Sequence, residues 1–271
     1  MAFCLIYCIE GDCVINTLFI DLDGTLVNSS AAVHNLFENL AERYLGNENL
    51  GKSLRDSFKK SCGDMFYILP HTRYLQDIAC GWDNIFLSDF TGEDSRLVDL
   101  KNAAAEYKYS VVASVLAEHG IKDCAVIESM IAFIYEKWVE YYRPYSDIDT
   151  FLYECKCFKK YILTNGFVDI QMKKIHHCGL YDKFDGVFIS GIYGIGKPHA
   201  AYFEYVLDNT RADVNSTAMI GDRLSSDIIG AANMGIKTIL KKHSNSVNDK
   251  RINPTAIVEK LAEIPSLLLS V

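Results

Sequence analysis

Short runs of apolar and β-branched residues recur along the chain, each ending in a polar turn: "VINTLFIDLDGT" at 14–25, "KKYILTNG" at 159–166, "DGVFIS" at 185–190, "TAMIGD" at 217–222 and "GIKTIL" at 235–240. Continuous runs of this length suit parallel strands buried on both faces. Segments with helical spacing lie between and after them, at 168–178, 199–209, 224–234 and 254–269. Strand–helix–strand alternation predicts an α/β fold, a Rossmann-like parallel sheet covered by helices on both faces. In such sheets ligands bind beyond the carboxyl ends of the strands.

Residues 29–145 break the alternation. They read as helices at 30–45, 52–61, 73–80, 96–119 and 123–142, with no convincing strand. Val126, Met130, Phe133, Ile134, Lys137, Trp138 and Tyr141 follow helical spacing. An aromatic stripe of this kind is the core of a small bundle rather than a cofactor contact. The expected organisation is a core domain from 1–28 and 146–271, interrupted by a helical domain over 29–145. The opening 1–13 reads as an added strand or hairpin arm, since no basic residue precedes its apolar stretch and no small-residue cleavage site follows.

Composition narrows the function. With 271 residues, 49% of them apolar, the chain can bury a sizeable core. No apolar run approaches the roughly 18 residues that span a bilayer, so no membrane partner is expected. A net charge of −8 argues against a nucleic-acid surface but not against a small anionic substrate, because a metal ion reverses the sign locally. The nine cysteines lack metal-ligand spacing, and a reduced cytoplasmic chain is the reading that fits them. Oligomeric state is left open.

The chemistry gathers at two acidic pairs. Asp21 and Asp23 end the first strand in "DLDGT", on the same side of an extended chain. Asp222 ends "TAMIGD", and Asp227 lies in the first turn of the helix that follows. If those strands are neighbours, four carboxylates meet at one sheet edge. Two like charges about 4 Å apart repel by roughly 4 kcal/mol at an effective dielectric of 20. Several such pairs would consume much of a net stability of roughly 5–15 kcal/mol. Cations must therefore sit among them, and oxygen ligands point to Mg²⁺.

"GIYGIGKP" at 191–198 imitates a nucleotide-binding P-loop, but Pro198 stands where that loop needs a Ser or Thr hydroxyl for the metal. Lys197 is better read as the second cation of the acidic cluster. His176 and His177 have no partner motif, and Lys52, Arg55, Lys59 and Lys60 suit an exposed helix face. Arg73, Tyr74 and Arg143 lie near inferred turns or the hinge and are better candidates for setting substrate specificity.

In order, "DLDGT", "LTNG", Lys197 in "GKP" and "GDRLSSD" resemble the four motifs of the haloacid dehalogenase-like (HAD) hydrolase superfamily. The match covers about residues 14–28 and 145–242, and the insertion resembles that family's helical type-one cap. The dehalogenases lack the second acidic residue of "DLDGT", and the phosphatases and phosphomutases have it. The resemblance implies that Asp21 is a nucleophile forming an aspartyl-phosphate and that Asp23 is the general acid and base. It implies Mg²⁺ held by Asp21, Asp222 and the backbone carbonyl of Asp23, with Asp227 supporting. It also implies phosphate contacts from Thr164, Asn165, Gly166 and Lys197. A phosphatase for a small phosphorylated metabolite is expected, with the insertion closing over the substrate. A phosphomutase and a non-catalytic phosphate-binding protein are the alternatives.

Overall fold

The computed structural model describes residues 15–243 and 253–268, so the arm expected at 1–13 lies outside the described residues. These residues divide into two compact units: one of residues up to Asn28, Pro144–Asn165 and from Gly179 onward, the other of Ser29–Arg143 and Gly166–Cys178.

The first unit is built on a six-stranded sheet. Its strands are β1 (Thr17–Ile20), β2 (Lys159–Thr164), β3 (Gly186–Ile189), β4 (Thr217–Gly221), β5 (Lys237–Lys241) and β6 (Ala256–Val258). All pair in parallel, in the order β3-β2-β1-β4-β5-β6. The chain first winds outward from β1 through β2 to β3, then returns to β4 on the other side of β1. Such a reversal opens a crevice at the carboxyl ends of β1 and β4. Register fixes what reaches that edge: Ile20 lies opposite both Ile162 and Ile220. Asp21, Thr164 and Asp222 thus leave neighbouring strands at nearly the same level. Beneath them Phe19, Leu163 and Met219 pack against Tyr202, Phe203 and Val206, all fully buried.

Within the helix expected at 254–269, the described residues 254–268 depart from that reading. Residues 256–258 instead pair along β5, with Ile239 opposite Ala256 and Lys241 opposite Val258. Only short turns of helix follow, at Leu261–Glu263 and Ile264–Leu267. The run alternates weakly enough to suit either period, and an unpaired sheet edge decides between them by offering backbone hydrogen bonds. The helix Ile148–Glu154 was also not foreseen from the sequence.

The second unit holds α1 (Ser29–Leu45), α2 (Gly51–Asp64), α3 (Thr72–Asp77), α4 (Trp82–Leu87), α5 (Ser95–Glu118) and α6 (Cys124–Lys137). Asp94 and Asp123 cap α5 and α6 by accepting from the amides of Arg96 and Ala125. Phe58 meets Phe37 and Phe86 edge to face, with ring centroids 5.2 and 5.4 Å apart. Met130, Ile134 and Trp138 of the aromatic stripe are buried, as core residues should be. The helix Val168–His177 belongs to this unit. Asp169 in its first turn accepts from the Ser88 hydroxyl at 3.1 Å and the Asp89 amide at 2.7 Å. Phe90 meets Phe167 edge to face at 4.9 Å.

No helix among the described residues is long and apolar enough to cross a membrane. Cys62, Cys80, Cys124, Cys155 and Cys178 are outside any disulfide, whereas Cys157 is disulfide-bonded, so the expectation of a wholly reduced chain is not met there.

Candidate active site

Asp21 follows the last residue of β1, and its amide still donates to the Ile220 carbonyl of β4 at 2.9 Å. Its carboxylate is nearly buried and held on both sides. Lys197 Nζ donates to Oδ1 at 2.6 Å, and the Thr25 hydroxyl donates to Oδ2 at 3.3 Å. Lys197 is itself 1% exposed, with its other ammonium protons directed at Asp227 Oδ1, 2.8 Å away, and the Leu163 carbonyl at 2.7 Å. Burial alone would depress this lysine, but Asp21 and Asp227 outweigh that and hold it above the usual lysine range.

Asn165 explains how Lys197 is aimed. Its Oδ1 accepts from the Lys197 amide at 2.9 Å and its Nδ2 donates to the Lys197 carbonyl at 2.8 Å. The side chain is thereby tied to the lysine's own backbone. Gly196 makes this approach possible: a Cβ there would lie 2.5 Å from Asn165 Oδ1. The glycine of the false P-loop thus serves close packing, not phosphate binding.

Asp21, Asp222 and Asp227 each offer an oxygen within 4.8 Å of the others, the one such group of potential metal ligands among the described residues. Their surroundings differ. Asp227 is already engaged, by Lys197, by the Arg223 amide at 3.0 Å and by the Ser226 hydroxyl at 3.2 Å. Asp222 Oδ1 is buried and accepts no hydrogen bond. A buried carboxylate oxygen left this way is costly unless a cation completes it. An all-oxygen donor set with one lone pair waiting fits a hard divalent ion such as Mg²⁺. Asp23, half-buried, is outside this group, so three of the four carboxylates expected at this edge form it.

Electrostatics reports the same strain. Burial, reinforced by Asp227 and opposed by Lys197, raises Asp21 to about 6. Burial, then Asp21 and Asp227, raises Asp222 to about 8. In metal-free protein the folded chain therefore holds protons that the unfolded chain releases near 3.8. More protons on the folded state means that raising the pH favours unfolding across this window. The thermal midpoint of chelator-treated protein should be higher at about pH 5 than at about pH 8, and Asp222→Asn should flatten the slope. An identical slope in the variant would show that Asp222 is not the strained group.

Thr164, buried at the end of β2, leaves the sheet beside Asp21. Gly166 falls in the second unit, with φ +132°. The specificity candidates have structural employment. Arg73 pairs with Asp77 at 2.9 Å, and Tyr74 is buried under the Arg96 guanidinium, 4.2 Å from its ring centroid. Arg143 donates to the Glu140 and Tyr142 carbonyls at 2.6 and 2.7 Å. His176, His177, Lys52, Lys59 and Lys60 are exposed, and Arg55 is half-buried. Sequence reasoning passed over Thr25, although it stands in "DLDGT" four residues from the carboxylate it binds.

Comparison with known proteins agrees with this geometry. A family model for the haloacid dehalogenase-like hydrolases matches residues 15–235. The Pyrimidine 5'-nucleotidase YjjG of Escherichia coli is 35% identical over 108 residues, which is 40% of this chain and 48% of the relative. The chain thus matches about half the length of that curated relative. Among solved structures, the magnesium-bound HAD-hydrolase YfnB of Bacillus subtilis superposes with a TM-score of 0.63 at 23% identity, covering 94% of this chain and 99% of the other. The L-2-haloacid dehalogenase of Xanthobacter autotrophicus gives 0.63 at 18% identity, covering 95% and 99%. At such identities these superpositions speak for the fold. With four ordered motifs at one sheet edge and a family match over most of its length, this chain belongs to the haloacid dehalogenase-like hydrolases.

Proposed function

We propose that the chain is a Mg²⁺-dependent phosphomonoester hydrolase for a small phosphorylated metabolite, a sugar phosphate or a nucleoside monophosphate. The observation that carries this reading is the state of Asp21: a carboxylate fixed by Lys197 and Thr25 beside the unpartnered oxygen of Asp222. Such a carboxylate is oriented, and at about 6 it is ionised near neutral pH. Those are the requirements of a carboxylate nucleophile.

Asp21 attacks phosphorus, and the bond to the leaving oxygen breaks as Asp23 delivers a proton to it. The aspartyl-phosphate is then opened by water, whose proton Asp23 accepts, and Asp21 returns as a carboxylate with release of inorganic phosphate. Thr164, the Gly166 amide and Lys197 hold phosphoryl oxygens, and Asn165 acts through the lysine loop that it fixes. Asp21, Asp222 and the Asp23 carbonyl, with Asp227 in support, would hold Mg²⁺, which would supply charge stabilisation for the transferring group. Asp23 favours phosphoryl transfer over dehalogenation, because cleavage of an alkoxide leaving group needs a proton donor. The nucleotidase relative adds weight to a small phosphomonoester substrate.

The helical insertion is read as the element that selects the leaving group, since it departs from the chain a few residues after Asp23. Phosphate release from a panel of phosphorylated metabolites with Mg²⁺ tests the activity. Sustained release is expected; isomerisation without release would make the chain a mutase, and neither would make it a binding protein. The kcat/KM for the best small substrate should exceed that for any folded phosphoprotein. The opposite order would remove the insertion from its selecting role.

A further inference from the structure

A second buried lysine stands near the acidic cluster, and the function proposed above does not use it. Lys241 ends β5, the strand beside the one that carries Asp222, and is 1% exposed. Its Nζ donates to the Gly24 carbonyl at 3.3 Å and lies 3.4 Å from the centroid of the Tyr145 ring. His243 donates from Nε2 to the same carbonyl at 2.8 Å, stacks on Tyr145 at an interplanar angle of 18°, and lies 3.7 Å from Asp222 Oδ2. Two side-chain donors thus converge on one backbone oxygen. Burying an ammonium is expensive, and the aromatic face with one carbonyl is modest compensation unless the geometry serves something else.

Gly24 shows what is being held. It turns with φ +88°, and its Cα lies so close to Asp222 that an added Cβ would sit 2.2 Å from Oδ2. The position of Gly24 therefore limits where the Asp222 carboxylate can point. Gly24 also follows Asp23 directly, so fixing its carbonyl fixes the turn that presents the Asp23 backbone.

We propose that Lys241 and His243 are positioning residues for the metal site. They clasp the Gly24 carbonyl from the β5 side and so orient the Asp23–Gly24 turn and the Asp222 carboxylate to receive Mg²⁺. This inference rests on the metal reading given above. Partners that orient metal ligands typically govern affinity by roughly 10–100-fold.

Calorimetric titration of Mg²⁺ into the metal-free full chain tests it, with circular dichroism and the thermal midpoint confirming that each variant is folded. His243→Ala and Lys241→Met should each weaken Mg²⁺ binding by about 10-fold or more. His243→Gln, whose amide keeps a donor within reach of Gly24, should recover most of the loss. At saturating Mg²⁺ the KM for substrate should stay near the wild-type value, because neither residue is placed against the substrate. If Lys241→Met does not fold, the His243 pair decides alone. Wild-type affinity in folded His243→Ala overturns the clasp while leaving the metal reading intact. Equal weakening by Ala and Gln assigns the loss to stacking on Tyr145, and the clasp fails. No Mg²⁺ binding by the wild type removes the metal reading itself, and this inference with it.

Discussion

Asp21→Asn is expected to lower turnover by at least about 10⁴-fold while leaving the protein folded. The amide is isosteric with the carboxylate, and it keeps a carbonyl oxygen for Lys197 or Thr25, but it is too weak a nucleophile to open a phosphate ester. Lys197 retains Asp227 and the Leu163 carbonyl, so the ammonium is not stranded. Removing one charge from a group of three crowded carboxylates also relieves repulsion, so the metal-free thermal midpoint should hold or rise. Steady-state phosphate release and a melting curve on the same preparation decide the matter. A well-folded Asp21→Asn protein with unchanged turnover would end the nucleophile assignment. Acid-quenched wild-type enzyme should in addition yield phosphate bound covalently to the peptide containing Asp21, and the variant should yield none.

Removal of the metal should have an effect of similar size. With excess chelator, activity should fall to background, and added Mg²⁺ should restore it. Asp222→Ala should weaken Mg²⁺ binding well beyond the 10-fold expected of positioning residues, because a direct ligand is lost rather than its orientation. The variant should not be unstable, since the carboxylate removed is the one raised to about 8 by burial and its acidic neighbours. Loss of Mg²⁺ affinity without loss of stability separates a ligand from a structural residue. Full activity in excess chelator would defeat the metal requirement altogether.

Much of the site could be read before any coordinates, for a local reason. A parallel strand buried on both faces must be a continuous apolar run, and the polar residues that end it are visible as a break. Asp21, Thr164 and Asp222 each mark such a break, and strand register then carries them to one edge. Lys197 was legible by elimination, because Pro198 disqualifies the alternative loop. The helical insertion announced itself through spacing and through the absence of strand-like runs.

What the sequence by itself determined is therefore the first five strands, the order of the motifs and the residue types that arrive at the carboxyl edge of the sheet. Tertiary structure alone decided the rest, wherever a partner distant in sequence outweighs local preference. Residues 256–258 became a strand because the open edge of β5 offered hydrogen bonds that a solvated helix could not match. The helix Val168–His177 joined the insertion because Asp169 and Phe167 found Ser88, Asp89 and Phe90, some eighty residues earlier in the chain. Asn165 turned toward the Lys197 backbone because Gly196 left the space for it. Lys241 and His243 carry no motif, and nothing in their neighbourhood in the chain distinguishes them from surface residues. Only parallel pairing of β4 with β5 brings them beside Asp222, and only the folded turn at Gly24 gives them a carbonyl to hold.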